Sequence, residues 1–129
     1  MEIRIPSYRE IEHGKKSFIA YQIVVSFREW RNIVEKRYSE FVELHEVMKL
    51  IQKIIKKPIP NLPPHKALKS LLSKLSEEDL EERRRDLENY LRALEISPCA
   101  KHSKFFPEFV SLPLRFRDDW ALGFHEEGN

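Results

Sequence analysis

The chain has 129 residues, of which 41% are hydrophobic and 34% charged, and its formal net charge is only +2. This length favours a single domain that can bury a core without disulfides or a structural metal. One cysteine argues against a disulfide framework, and three glycines, which are far apart or at the end of the chain, argue against a glycine-rich phosphate loop and therefore against nucleotide-dependent catalysis.

The small net charge hides two blocks of opposite sign. Residues 49–75 contain seven lysines and no Asp or Glu, whereas residues 76–89 contain seven acids and three arginines. A basic block of this size indicates a phosphate-bearing partner, either nucleic acid or an anionic membrane surface. A solvated, lysine-rich helix face is the alternative interpretation.

Hydropathy and the number of cysteines indicate the cellular compartment of the protein. Charged residues interrupt every apolar run before it reaches the roughly 18 residues that cross a bilayer. The opening residues carry charges throughout and lack the apolar region of a signal peptide. With a single cysteine, these features predict a soluble protein of a reducing, cytosolic compartment.

The first third of the chain predicts strands. Apolar residues alternate from Phe18 to Phe27 on both faces, as in a strand covered on both sides. A further strand is expected over about residues 31–36. Residues 2–8 form a third, short candidate in which Pro6 is tolerable only at an edge or an end. Together these segments predict a small antiparallel meander.

A long helix and a proline-rich segment follow the strands. Apolar residues from Phe41 to Ile55 recur at spacings of three and four, with Ser39 as the expected N-cap. The helix stops before Pro58, and the four prolines of residues 58–64 then predict an extended, polyproline II-like connection.

The remainder of the chain also predicts helices. Leucines of residues 68–75 predict a short amphipathic segment, and Ser76 with Asp79 resembles a capping box that opens a helix ending before Pro98. A last short helix is expected around residues 104–112. We place one domain at residues 1–115 and leave residues 116–129 as either an ordered extension or a loose tail.

At two places, charged residues do not fit the amphipathic pattern. Arg83 and Arg84 flank the leucine stripe of the third helix, so each requires an anion, either a carboxylate such as Asp79, Asp86 or Glu88 or a ligand. In the other place, Lys36, Arg37 and Tyr38 stand where a strand ends and a helix begins. Helix N-termini attract anions, arginine offers a bidentate fork to phosphate, and a tyrosine face packs under a ring.

At these residues the sequence resembles a known family. Three motifs stand in order: Arg37-Tyr38-Ser39-Glu40-Phe41, the proline-rich segment from Pro58 to Lys66, and the segment from Glu82 to Leu91. This ordered set resembles the phox homology (PX) domain of the sorting nexins, above all the small members with little besides that domain. The resemblance covers about residues 1–115. It implies an α+β fold in which a three-stranded antiparallel sheet packs against a helical subdomain with a proline-rich loop.

The resemblance also implies a function and a site. The family binds phosphatidylinositol 3-phosphate on endosomal membranes, which implies a peripheral membrane protein of early endosomes or other cytoplasmic vesicles that serves sorting or trafficking. Carried over by position, Arg37 holds the 3-phosphate, Tyr38 forms the floor under the inositol ring, and Arg83 contacts the 4- and 5-hydroxyls. The lysine expected for the 1-phosphate corresponds to Lys66, with one extra residue before it. Secondary candidates are Lys36, His65 and Arg84.

Attachment to the membrane is expected to have an apolar component. Insertion of loop residues contributes about 25 cal/mol per Å² buried, and the alternative is that these residues belong to the core. The residues expected to insert are Ile59, Leu62, Leu68, Leu71 and Leu72.

Other functions have weaker support in the sequence. Lys57 to Pro63 fits a basic-x-x-P-x-x-P pattern of the kind that SH3 domains bind, so a protein-interaction adaptor with little lipid binding is the alternative. A nucleic-acid partner is not expected, because aromatic residues are not interleaved with the lysines. We expect no enzyme, no catalytic residues, no cofactor and no metal site, because the five histidines show no ligand spacing.

Overall fold

The structure is a computed structural model that describes residues 1–64 and 75–127. Three strands, β1 (Glu2–His13), β2 (Lys16–Phe27) and β3 (Trp30–Arg37), form one antiparallel sheet in the order β1-β2-β3. The predicted meander is confirmed. Helices follow it, as in the predicted α+β class: α1 (Tyr38–Ile55), α2 (Glu77–Glu95), α3 (Pro98–Lys101), α4 (Phe105–Phe109) and α5 (Leu114–Glu127).

Strand β1 is longer than the predicted residues 2–8. Its pairing with β2 shifts between Arg4 and Ser7, at the position of Pro6, and then continues to the pair His13 and Lys16. The irregularity accommodates a residue without a backbone N–H on an edge strand, so Pro6 does not end the strand.

Helix α1 follows β3 without a loop, and the prediction of Ser39 as its N-cap is wrong. The cap is Arg37, whose backbone N–H donates to Glu40 Oε1 at 3.0 Å. The carboxylate of Glu40 therefore replaces the serine as the capping acceptor. The helix ends at Ile55, after which Lys56 adopts a left-handed conformation with φ of 56°.

The predicted capping box of α2 is confirmed. The backbone N–H of Asp79 donates to Ser76 Oγ at 3.1 Å, and that of Ser76 donates to Asp79 Oδ2 at 3.4 Å. Farther on, α3 was not expected from the sequence, and the helix predicted over 104–112 is reduced to Phe105–Phe109.

Helix α2 covers the edge of β1 through side chains that bond to the strand backbone. Arg84 Nη1 donates to the Ile5 carbonyl at 2.6 Å, and Arg92 Nε donates to the Ile3 carbonyl at 2.8 Å. The backbone N–H of Ile5 donates in turn to Glu88 Oε2 at 2.7 Å. These bonds give side-chain partners to backbone groups of β1, and they fix α2 against the sheet.

Helix α5 packs against the same core through Trp120, which is 1% exposed. Its Nε1 donates to the buried Glu95 of α2 at 2.7 Å, and its ring stacks on Phe106 at a centroid distance of 5.5 Å. Arg28, beyond the end of β2, pairs with Asp119 at 2.6 Å. Within the described ranges, no helix combines the length and the apolar character needed to cross a bilayer.

Candidate functional site

A cavity of about 600 Å³ opens where β3 ends and α1 begins. Strand β2 forms one wall, the first turn of α1 forms another, and α2 closes the site. The residues that line it are Ser17, Phe18, Ile19, Tyr21, Arg37, Tyr38, Ser39, Val42, Leu75 and Arg83. The fold therefore brings Arg83, from a distant part of the sequence, into the same cavity as Arg37 and Tyr38.

Arg37 lies at the open side of the cavity. It pairs with Ala20 in the sheet, and its guanidinium carbon lies 4.0 Å from the ring centroid of Phe18. The aromatic face supports the cation without neutralising it. No carboxylate within the described ranges pairs with the Arg37 side chain, which is exposed and can therefore meet an anion.

Tyr38 is half-buried, and contacts of its hydroxyl and of its ring hold the side chain in place. Its hydroxyl donates a hydrogen bond to the Pro63 carbonyl of the proline-rich segment, and its ring lies under the Arg83 guanidinium. Burial raises the pKa of the Tyr38 hydroxyl, and the charge of Arg83 opposes part of that shift. The ring is thus a fixed apolar surface at neutral pH.

Arg83 is the buried cation of the site. The residue is 8% exposed, and its guanidinium carbon lies 4.5 Å from the ring centroid of Tyr38. Among the residues that the structure describes, no ion pair joins Arg83 to Asp79, Asp86 or Glu88. Within the described part of the chain, its Nη2 is buried without a hydrogen-bond partner. A buried, unneutralised charge is costly, so this position is built to meet an anion or another acceptor.

Two of the secondary candidates have other contacts. Arg84 donates from Nε to both oxygens of Glu81 at 2.8 Å and from Nη1 to the strand backbone. The Lys36 ammonium lies 3.6 Å from Glu40 Oε2 and 5.0 Å from the ring centroid of Phe109. Neither residue lines the cavity.

Several predicted residues lie in the proline-rich segment or shortly after it in the chain. Ile59 and Leu62 are half-buried and pack against the core, which is the alternative role left open for them above. The remaining positions lie outside the described residues: His65, Lys66, Leu68, Leu71 and Leu72.

Sequence reasoning missed the contribution of β2 to the site. Phe18 supports Arg37, and Tyr21 lies against Arg83 in the interior of the cavity. The pairing of Ala20 with Arg37 would have located this part of β2 beside the arginine, but that register is set by tertiary structure and has no local signal.

Comparison with known proteins identifies the family of the chain. Residues 24–113 match the PX domain family. Sorting nexin-24 of Homo sapiens is 35% identical over 113 residues, which cover 87% of this chain and 60% of that protein. Sorting nexin-3 of Schizosaccharomyces pombe is 31% identical over 106 residues, covering 78% of this chain and 70% of that protein.

Solved structures agree as well. A designed CISK-PX domain superimposes with a TM-score of 0.71 at 30% identity, covering 85% of this chain and 98% of that one. The mouse SNX19 PX domain with bound sulphate ion has a TM-score of 0.53 at 19% identity, which supports the fold alone, and covers 88% of this chain and 97% of that one.

The chain belongs to the PX domain family. It resembles sorting nexins in particular, and it spans about 60% of the length of sorting nexin-24.

Proposed function

We propose that this chain is a phosphoinositide-binding module that attaches to membranes through phosphatidylinositol 3-phosphate and serves membrane trafficking. The observation that carries the proposal is the buried guanidinium of Arg83, which lacks an anionic partner within the described residues and lies over Tyr38 in a cavity that also holds Arg37. Membership of the PX domain family and similarity to sorting nexins support it.

The three residues have distinct chemical tasks in this proposal. Arg37, exposed and supported by Phe18, offers two parallel N–H donors to the 3-phosphate. The ring of Tyr38 provides a flat apolar surface under the inositol ring. Arg83 donates to ring hydroxyls in the interior, where low solvent access strengthens each hydrogen bond.

The location proposed for the protein follows from the ligand. Phosphatidylinositol 3-phosphate marks early endosomal and other cytoplasmic vesicle membranes, so attachment there is peripheral and reversible. Lysines near the surface add about 1 kcal/mol each on an anionic leaflet. Three or four such contacts give only millimolar-scale binding, so specific headgroup capture is required for stable attachment.

The test is a liposome-binding panel across all the phosphoinositides. We expect a preference for phosphatidylinositol 3-phosphate that Arg37→Ala abolishes while the melting temperature stays unchanged. Arg31→Ala is the matched control, because Arg31 is an exposed arginine on the same strand that does not line the cavity. A folded Arg37→Ala variant that still binds, or a wild-type preference for a 4-phosphate lipid, would overturn the proposal.

A further inference from the structure

Two buried polar atoms of the cavity lack hydrogen-bond partners within the described ranges: Arg83 Nη2 and the hydroxyl oxygen of Tyr21. Both residues line the cavity, one from α2 and the other from β2. A buried polar group left unpaired costs about 1–3 kcal/mol, so folded proteins rarely keep one without a use for it. Two of them in the same cavity indicate a contact that is completed in another state.

The hydroxyl of Tyr21 is not required for packing. The residue is fully buried, and its ring packs against Tyr8 and Phe41 at centroid distances of 6.2 and 6.3 Å. A phenylalanine would fill nearly the same volume and would place no polar atom in the interior. The oxygen is therefore the part of Tyr21 that needs a functional explanation.

Arg83 is near enough to act on this oxygen. Burial raises the pKa of the Tyr21 hydroxyl, and Arg83 opposes this shift through its charge and through a side-chain hydrogen bond that falls short of full hydrogen-bond geometry. The aromatic neighbours of Tyr21 hold its ring in place, whereas the Arg83 side chain rests on one face of Tyr38. Of the two partners, the arginine is the one that can adjust.

We propose that Tyr21 is a positioning residue of the headgroup site, whose hydroxyl accepts a well-formed hydrogen bond from Arg83 Nη2 when a headgroup occupies the cavity. This inference rests on the proposed function. A guanidinium presents its donors in one plane, so a bond to Tyr21 on one edge and bonds to the ligand on another fix the plane of Arg83. The hydroxyl acts through Arg83 and needs no contact with the lipid.

The variant Tyr21→Phe removes only this oxygen. We expect it to bind soluble inositol 1,3-bisphosphate, measured by titration calorimetry, about tenfold more weakly, as for a lost hydrogen bond to a charged group. Its melting temperature should equal or exceed that of the wild type, because the empty protein loses a buried hydroxyl that makes no well-formed hydrogen bond. Unchanged affinity, or a clear loss of stability, would overturn the inference.

Tyr90→Phe is the matched control. Tyr90 is also buried, but its hydroxyl is 2.8 Å from His45 Nδ1 and does not face the cavity. This variant should lose stability and keep its affinity, which is the opposite of the result expected for Tyr21→Phe. If both variants behave alike, the tyrosine hydroxyls have a general structural role and the inference fails.

A double-mutant cycle tests whether the effect passes through Arg83. In an Arg83→Lys background, Tyr21→Phe should cause little additional loss, because the planar guanidinium that it orients is gone. Fully additive losses would contradict the inference. If wild-type protein binds neither inositol 1,3-bisphosphate nor vesicles with phosphatidylinositol 3-phosphate, the proposed function itself fails, which is a different outcome from binding that is insensitive to Tyr21.

Discussion

The guanidinium of Arg83 lies over the ring of Tyr38, with 4.5 Å between its central carbon and the ring centroid. These residues are 45 positions apart, and their contact joins the middle of α2 to the start of α1. The sheet is held to α2 independently, by the bonds that Arg84 and Arg92 make to β1. The neighbouring residues Arg83 and Arg84 of α2 therefore have different roles. Arg83 faces the cavity, whereas Arg84 binds the backbone of β1.

This division predicts that Arg84→Ala destabilises the protein. The change removes a charged hydrogen bond to the Ile5 carbonyl and leaves that acceptor with one partner fewer, a loss of about 1–3 kcal/mol. Urea denaturation measures it. Arg85→Ala is the control, since Arg85 is exposed on the same helix and should change stability by less than about 0.5 kcal/mol. Equal effects of both variants would contradict the structural role.

Removal of the Trp120 side chain should have a larger effect. Trp120→Ala empties a buried site and deprives Glu95 of a donor, which should lower the free energy of unfolding by about 3–5 kcal/mol. Leu122→Ala, at a residue 60% exposed on the same helix, serves as control and should be nearly neutral. A Trp120→Ala protein as stable as the control would show that α5 does not contribute to the core.

His45 predicts a pH dependence of stability. Burial, with a smaller contribution from Lys49, lowers the pKa of His45 in the folded protein below its ordinary value near 6.5. The unfolded chain then binds the proton more readily than the folded protein. The contribution of His45 to the free energy of unfolding is therefore fully present above about pH 6.5 and is lost as the pH falls below this value. Melting temperatures between pH 7.5 and 5 should show this loss, and His45→Gln should reduce it.

The control for His45 is His13→Gln, at an exposed histidine near the end of β1. This variant should keep the acid sensitivity of the wild type. If His45→Gln and His13→Gln have the same pH profile as the wild type, His45 does not cause the effect.

The residue at the 1-phosphate position can be decided by pH as well. We expect Lys66→Ala to weaken liposome binding and wild-type binding to stay constant from pH 8 to 6, because lysine keeps its charge throughout this range. Binding that strengthens as pH falls, and that His65→Gln makes constant, would assign the position to His65 instead.

Much of the fold could be predicted because its determinants are local. Apolar alternation over β2 and the capping box of Ser76 and Asp79 depend on neighbouring residues and were identified. The N-cap of α1 was missed because Ser39 is a favourable capping residue by type, whereas the acceptor that acts there is the Glu40 carboxylate. The full extent of β1 was missed because pairing with β2 outweighs the proline inside it.

The site could be predicted only in part. The charged residues Arg37 and Arg83 stand out because each contradicts its surroundings in the sequence, and the motif order supported Tyr38. Phe18 and Tyr21 look like ordinary strand residues, since alternation explains them completely. Their places beside Arg37 and Arg83 depend on how the sheet meets α2, which no local pattern encodes.

The hydrogen bond from Tyr38 to the Pro63 carbonyl couples ligand binding in the cavity to the conformation of the proline-rich segment. A ligand that requires Tyr38 in its present position favours the segment as it stands, whereas a protein that binds the prolines by drawing Pro63 away must break this bond. Linkage then requires each ligand to lower the affinity of the other by the same factor. The two functions considered for this chain, lipid capture and proline recognition, would compete through one hydroxyl group.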